Sequence, residues 1–221
     1  MWQLPALAAI GYLIGAIPNG VIVGRLVLGE DIREYGSGKM GATNVIRTAG
    51  ARWGLLVMAL DAIKGGVPVL LARWLTDDPW GMAVAGGAVL VGHVWPIYVG
   101  FRGGRGVASY AGAVLAMHPA AAAPLIPVGA AILGVTRIMS VMSISIAFIA
   151  GALFVVLAAA GLASWAHAAF AAGGGAAIIV LHKDNIARLL AGTEPKLGQG
   201  GERRARGRPA EAPNPPVADP R

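Results

Sequence analysis

Long apolar runs alternate with short polar stretches along the whole chain. Residues 4–28 form the first run, interrupted by Pro18, Asn19 and Arg25, and it is long enough to cross a hydrocarbon core of about 30 Å. Polar residues 29–52 follow and carry Arg33, Lys39, Arg47 and Arg52. Further apolar runs span 53–75, 80–99, 107–117, 120–135, 140–160 and 164–181. They are separated by the acidic turn at Asp77 and Asp78, the loop holding Arg102 and Arg105, the turn His118-Pro119, Arg137, and the turn Gly161-Leu162. An apolar segment of helical length can satisfy its backbone in lipid only by coiling into a helix. The pattern predicts an all-α, polytopic integral membrane protein with about seven transmembrane helices. The fourth, 107–117, is short for a full crossing, and Pro119, Pro124 and Pro127 crowd the ends of the fourth and fifth.

Lys and Arg sort to alternate loops and to the C-terminal segment, so the positive-inside rule predicts an outside N-terminus and a cytoplasmic C-terminus. The first run lacks a basic leader and a clear cleavage site, and is expected to be a retained span. Composition agrees: 56% of the 221 residues are hydrophobic and only 13% charged, too little polar surface for a soluble domain. The net charge of +7 does not point to nucleic acid, because the basic residues sit at span ends without interleaved aromatics. With no cysteine, disulfide and thiolate chemistry are excluded. Abundant Gly and Ala suit close helix approach. Residues 1–198 read as a single transmembrane domain, and 199–221, rich in Gly, Arg, Pro and Ala, as a disordered basic cytoplasmic tail.

Three polar stretches, 36–50 (GSGKMGATNVIRTAG), 92–109 (GHVWPIYVGFRGGRGVAS) and 182–198 (HKDNIARLLAGTEPKLG), lie where apolar runs end and are expected to face the cytoplasm together. The first fails as a nucleotide-binding P-loop: Arg33 occupies the first glycine position and Met40 follows Lys39. Gly36, Ser37, Gly38, Thr43, Asn44 and Arg47 nonetheless make a glycine-flexed set suited to phosphate, although a plain headgroup-facing loop would also carry arginines. In the second stretch, Gly103, Gly104 and Gly106 free the backbone around an anion while Arg102 and Arg105 supply forked donors. In the third, His182 and Asn185 share a helix face, with Lys183, Arg188, Glu194 and Lys196 nearby. Asp61 and Lys64 lie inside the second span, where a lone charge costs about 2.5–3.5 kcal/mol or more; they read as a mutually neutralising pair that holds helices in place. No His, Cys, Asp or Glu set has metal-ligand spacing, and no cofactor is expected. The Gly-x-Ser-x-Gly elbow is absent. So are the His-x4-Asp signature of soluble and monotopic glycerolipid acyltransferases and the acidic cluster of CDP-alcohol phosphotransferases.

In order and topology, these stretches resemble the bacterial acyl-phosphate:glycerol-3-phosphate acyltransferase family. Its motifs, roughly SGNxGATNxxR, GHxxPxxxxFxGGKG and HxxNxxRLxxGxE, match residues 37–47, 92–106 and 182–194. Lys39 stands where the family usually has Asn, Met40 where Pro is common, and Arg105 where Lys is usual. The resemblance implies acyl transfer from acyl phosphate to the 1-hydroxyl of sn-glycerol 3-phosphate, giving lysophosphatidic acid and phosphate, by a monomer in the bacterial inner membrane with its site on the cytoplasmic face. It assigns Arg47, Arg105, His182 and Asn185 to glycerol 3-phosphate, and the loop 36–44, with Ser37 and Thr43, to acyl phosphate. Ser140 and Ser143 resemble a serine pair lining the site, and Glu194 braces the third motif. Whether His182 takes the hydroxyl proton or the substrate phosphate does so stays open. The alternative is an organophosphate transporter, which would place polar residues near the bilayer midplane; the absence of an inverted repeat disfavours it.

Overall fold

A computed structural model describes residues 3–204. Among them, regular structure is helical apart from one isolated antiparallel bridge between Tyr35 and Arg203. Helices α1 (Gln3–Gly15) and α2 (Asn19–Leu28) share the first apolar run. They are split at Pro18, which has no N–H to continue a helical ladder. At the break the Ile17 carbonyl accepts hydrogen bonds from Lys64 Nζ at 2.7 Å and from the Asn19 N–H at 3.1 Å. After the polar loop come the short α3 (Ala42–Ala49), the 26-residue α4 (Ala51–Thr76) and α5 (Pro79–Val94). Asp78 caps α5 by accepting from the Trp80 and Gly81 N–H groups, with Pro79 in the first turn. The chain continues through α6 (Val107–Met117), α7 (Pro119–Ala122), α8 (Leu125–Thr136), α9 (Met139–Ala159), α10 (Trp165–Leu181) and α11 (Lys183–Leu190).

Five segments are long and apolar enough to cross a membrane: Gln3–Leu28, Ala51–Thr76, Pro79–Val99, Pro119–Thr136 and Met139–Ala159. Helices α10 and α11 make a sixth if taken together, although they meet at 58°. The expected seven therefore reduce to five or six by length and composition. The 11 residues of α6 reach only about 17 Å at 1.5 Å per residue. The reason lies in its surroundings. Ser109, Tyr110, Gly112, Ala113, Val114, Ala116 and Met117 are all buried, so α6 is packed largely against its protein neighbours.

Helix α1 packs on α5, α4 on α5 and α6, and α10 on α9, α5 and α6. At the α4–α6 contact the glycines are reciprocal: a Cβ on Gly65 would overlap the Ser109 carbonyl, and one on Gly112 the Ala62 carbonyl. Bare backbone here lets two helices touch without interposed side chains. Helix α8 stands apart, packing on α9 and α7, with only Gly129 buried. A bay lined by α4, α6, α8 and α9 is left open beside it.

Asp61 and Lys64 pair inside this bundle as expected, with Lys64 Nζ 2.9 Å from Asp61 Oδ1 and both side chains buried. Asn19 Nδ2 donates to the same oxygen at 3.0 Å, so the pair ties the α1–α2 break to α4. Of the segment expected to be a disordered tail, residues 199–204 lie against the first polar loop; residues 205–221 lie outside the described residues.

Candidate active site

The first polar stretch folds as a tight loop feeding α3. Gly36 and Gly38 adopt φ of +49° and +68°, values that favour glycine. Asn44 ties the loop from below: its Nδ2 donates to the carbonyls of Ile32, Tyr35 and Lys39, and its Oδ1 accepts from the Ser37 N–H. Its side-chain hydrogen-bonding groups are thus engaged in the loop, so Asn44 shapes the site instead of offering a free amide to ligand. The Gly36 and Gly38 N–H groups are likewise engaged, by the Glu202 and Tyr35 carbonyls. What the stretch presents to the cavity is Ser37, Lys39, Gly41, Ala42 and Thr43, with part of Asn44, around the N-terminus of α3, where backbone N–H groups and the helix dipole favour an anion.

The second stretch differs from expectation in how it uses its glycines. Gly103 and Gly104 donate their N–H groups to the carbonyls of Val94 and His93, at 3.2 and 3.1 Å. A Cβ on Gly103 would overlap the His93 carbonyl, and one on Gly104 the His93 ring. The glycines therefore let the loop lie flat on the end of α5; they do not wrap an anion with free N–H groups. His93 is buried, and its Nδ1 lies 3.2 Å from Ser109 Oγ and 3.8 Å from Asp61 Oδ1. It is the floor under the arginine loop, a role the sequence reading missed although His93 stands in the second motif. Arg105 projects from this floor and donates from Nε to the Leu181 carbonyl at 3.2 Å. Replacing Gly104 by alanine should lift the loop off His93 and misplace Arg105. We expect KM for a phosphate substrate to rise roughly ten- to a hundredfold, with kcat less affected; steady-state kinetics showing an unchanged KM would contradict this geometry.

The third stretch begins where α10 ends. His182 is buried, and its Nδ1 lies 2.8 Å from the Ile178 carbonyl. A carbonyl only accepts, so Nδ1 carries the proton and Nε2 is left with a lone pair. Burial, with Arg105 nearby, pushes the His182 pKa down to about 4. One turn on, Asn185 Nδ2 donates to Glu194 Oε1 at 2.7 Å, while Asn185 Oδ1 is buried without a partner among the described residues. Glu194 also accepts from Ser140 Oγ at 2.8 Å and from Arg188 Nε at 2.8 Å. It thus clamps α9 to α11, as expected of a brace. Ser140 is part of that clamp, and it lines neither of the site's cavities; Ser143 lines the larger one. Arg47, on α3, donates to the Pro195 carbonyl at 3.2 Å. Burial lowers the pKa of both Arg47 and Arg105, yet a guanidinium remains charged in any protein setting.

Two cavities meet at these residues. A cavity of about 500 Å³ has Ser37, Lys39, Thr43, Arg105 and His182 at its polar head, and continues past Ser143 into an apolar bay lined by Met58, Ala62, Ala111, Leu125, Ile146 and Ala150 among others. A smaller one of about 250 Å³ shares Lys39 and Arg105 with it and adds Arg102, Gly103 and Gly104. Arg47 and Asn185 stand behind the head, beside Glu194 and Pro195. Among the described residues no group of His, Asp and Glu has the arrangement to hold a metal.

A cationic, histidine-bearing head joined to a long apolar bay within a helical bundle defines a membrane protein built for a phosphate-bearing amphiphile. The match to known proteins is specific. The family model described as glycerol-3-phosphate acyltransferase covers residues 5–192, and the chain belongs to that family. A glycerol-3-phosphate acyltransferase of Anaeromyxobacter sp. (strain Fw109-5) is 45% identical over 198 residues, covering 86% of this chain and 95% of the relative. One from Roseiflexus sp. (strain RS-1) is 41% identical, covering 87% and 94%. The fold is similar to the crystal structure of PlsY (YgiH), an integral membrane glycerol 3-phosphate acyltransferase, in its glycerol 3-phosphate form: TM-score 0.80 and 37% identity, covering 88% of this chain and 96% of that one. The lysophosphatidic acid form of the same protein gives a TM-score of 0.76 at 36% identity, covering 87% and 94%.

Proposed function

We infer that the chain transfers a fatty acyl group from acyl phosphate to the 1-hydroxyl of sn-glycerol 3-phosphate, releasing lysophosphatidic acid and inorganic phosphate. The observation that carries this is the continuity of the polar head at Ser37, Arg105 and His182 with the apolar bay. A phosphate at the head leaves a fatty chain lying between helices, where each buried CH2 is worth about 0.8 kcal/mol. Glycerol 3-phosphate is small and doubly ionic, and the junction of the two cavities at Arg105, near His182, suits it.

Acyl phosphate is a mixed anhydride, so the carbonyl is already activated. The glycerol hydroxyl attacks the carbonyl carbon, an ester bond forms, and the bond to the phosphate oxygen breaks with its electron pair on the leaving phosphate. The hydroxyl proton goes to His182 Nε2 or to the phosphate itself. Positioning and charge neutralisation then do most of the catalysis. Ser37, Thr43 and the α3 N-terminus serve the acyl phosphate; Arg47, Arg105, His182 and Asn185 serve glycerol 3-phosphate, Arg105 and His182 from the cavity wall and Arg47 and Asn185 from behind it. The reading places a monomer in the bacterial inner membrane, N-terminus outside and the site on the cytoplasmic face. A transporter would need polar groups at both ends of the path, and the far lining of the bay is apolar.

The test supplies purified protein in lipid with glycerol 3-phosphate and, in parallel, acyl phosphate, acyl-CoA or acyl carrier protein. Lysophosphatidic acid and phosphate are expected from acyl phosphate alone. Product from acyl-CoA alone would overturn the donor, and no product from any donor would overturn the enzyme.

A further inference from the structure

Residues 199–204 lie beyond the family match, which ends at residue 192, yet they cross the first polar stretch at both of its ends. At one end Tyr35 and Arg203 form an antiparallel bridge. The Gly36 N–H donates to the Glu202 carbonyl at 2.9 Å, and the Arg204 N–H to the Glu34 carbonyl at 2.8 Å. Arg203 Nη2 lies 2.9 Å from Glu34 Oε2 and 3.3 Å from Glu30 Oε2, and its guanidinium stands 5.8 Å from the Tyr35 ring centroid. At the other end the chain passes directly over Arg47: a Cβ on Gly201 would overlap the Arg47 carbonyl. Between Glu194 and this crossing, the Leu197 N–H holds the Arg137 carbonyl at 2.8 Å, and the Pro195 carbonyl accepts from Arg47 Nη2.

We propose that residues 199–204 are a strap that positions the first motif, clamping the turn before Ser37 and the backbone at Arg47 so that Ser37 meets the cavity head and Arg47 is held behind it. The ion pairs of Arg203 are exposed and add little by themselves. The backbone pairing and the bare Gly201 crossing carry the effect, because they fix main-chain atoms just before α3 and within it. The strap consumes the Gly36 N–H, which leaves Ser37, Thr43 and the α3 N-terminus as the groups that meet ligand. None of the strap residues touches the reacting atoms; they act through the loop.

This inference rests on the proposed acyl transfer, and its test separates the two. The chain contains no cysteine, so a Tyr35→Cys/Arg203→Cys double variant of the full chain offers a single possible disulfide. Opposed residues of an antiparallel pair lie about 4.5–5.5 Å apart at Cα, within the reach of about 4.4–6.8 Å that a disulfide spans. One protein sample is then assayed oxidised and reduced, with Gly201→Leu alongside it. The oxidised form is expected to keep the parent KM for acyl phosphate and glycerol 3-phosphate. The reduced form should also stay close to the parent, because the backbone pairing survives the loss of the two side chains, whereas Gly201→Leu, which drives the crossing off the Arg47 carbonyl, should raise at least one KM about tenfold with kcat within about threefold. Identical parent-like kinetics in all three samples would overturn the strap while the acyl transfer stood. Activity lost on oxidation and regained on reduction would also overturn it, since the segment would then have to open in each turnover. Failure of the parent chain to make product from any donor would instead remove the underlying reading.

Discussion

Replacing His182 by alanine is expected to lower kcat by about 10²- to 10⁴-fold at saturating concentrations of both substrates, the range a positioned proton acceptor supplies. The Nδ1 contact with the Ile178 carbonyl fixes the tautomer, and the ring lines the polar head of the cavity. With its pKa pushed down to about 4 by burial, Nε2 is unprotonated across the neutral range. A base so weak would take a proton from a hydroxyl poorly; if both substrate phosphates bind beside it as proposed, their negative charge would favour the imidazolium and raise the value. The sign matters for the pH profile: loss of activity by protonation of His182 comes only on the acid side, below neutrality, and moves upward when substrate is bound. The kcat of His182→Ala, measured beside the unfolding temperature, decides the role. A fall in kcat with unchanged Tm identifies the proton acceptor; a pure rise in KM reduces His182 to positioning substrate.

The long helices were legible in the sequence because lipid imposes a single rule on them. Runs read at 53–75, 80–99 and 140–160 became segments Ala51–Thr76, Pro79–Val99 and Met139–Ala159. The same rule does not set the length of α6, which is mostly buried against α4, α5 and α10. The motifs located the site, since charged and hydroxyl side chains are scarce elsewhere in the apolar runs. What they did not reveal was which polar atoms remain available. Asn44, Ser140, Gly103 and Gly104 all carry the right chemistry for a ligand, yet each is engaged by a partner distant in sequence or by its own loop. Spacing within a motif cannot distinguish a donor aimed at substrate from one aimed at a carbonyl of another helix. The strap shows the same limit: a Gly- and Arg-rich composition reads as tail, while its pairing with Glu34 and Gly36 depends on contacts about 170 residues apart in the chain.

The largest stability effect is expected from Asp61→Ala. This change leaves Lys64 Nζ buried with only the Ile17 carbonyl, and strips Asn19 Nδ2 of its acceptor. Removing one member of a buried pair costs about 3–5 kcal/mol, because the surviving charge stays uncompensated. Exchanging both members for apolar residues of similar size removes the charge along with its partner, so Asp61→Leu/Lys64→Met should recover most of that loss. Thermal unfolding in one detergent decides it: a single variant as stable as the parent, or a double variant no better than the single, would refute a charge-compensation role. Function should follow stability only in part. Asp61 lies 3.8 Å from the His93 ring that supports Gly104, so even the recovered double variant should bind phosphate substrate more weakly. The pair that holds α1, α2 and α4 together also sets the height of the arginine loop, and a rise in KM without loss of Tm would separate these two tasks.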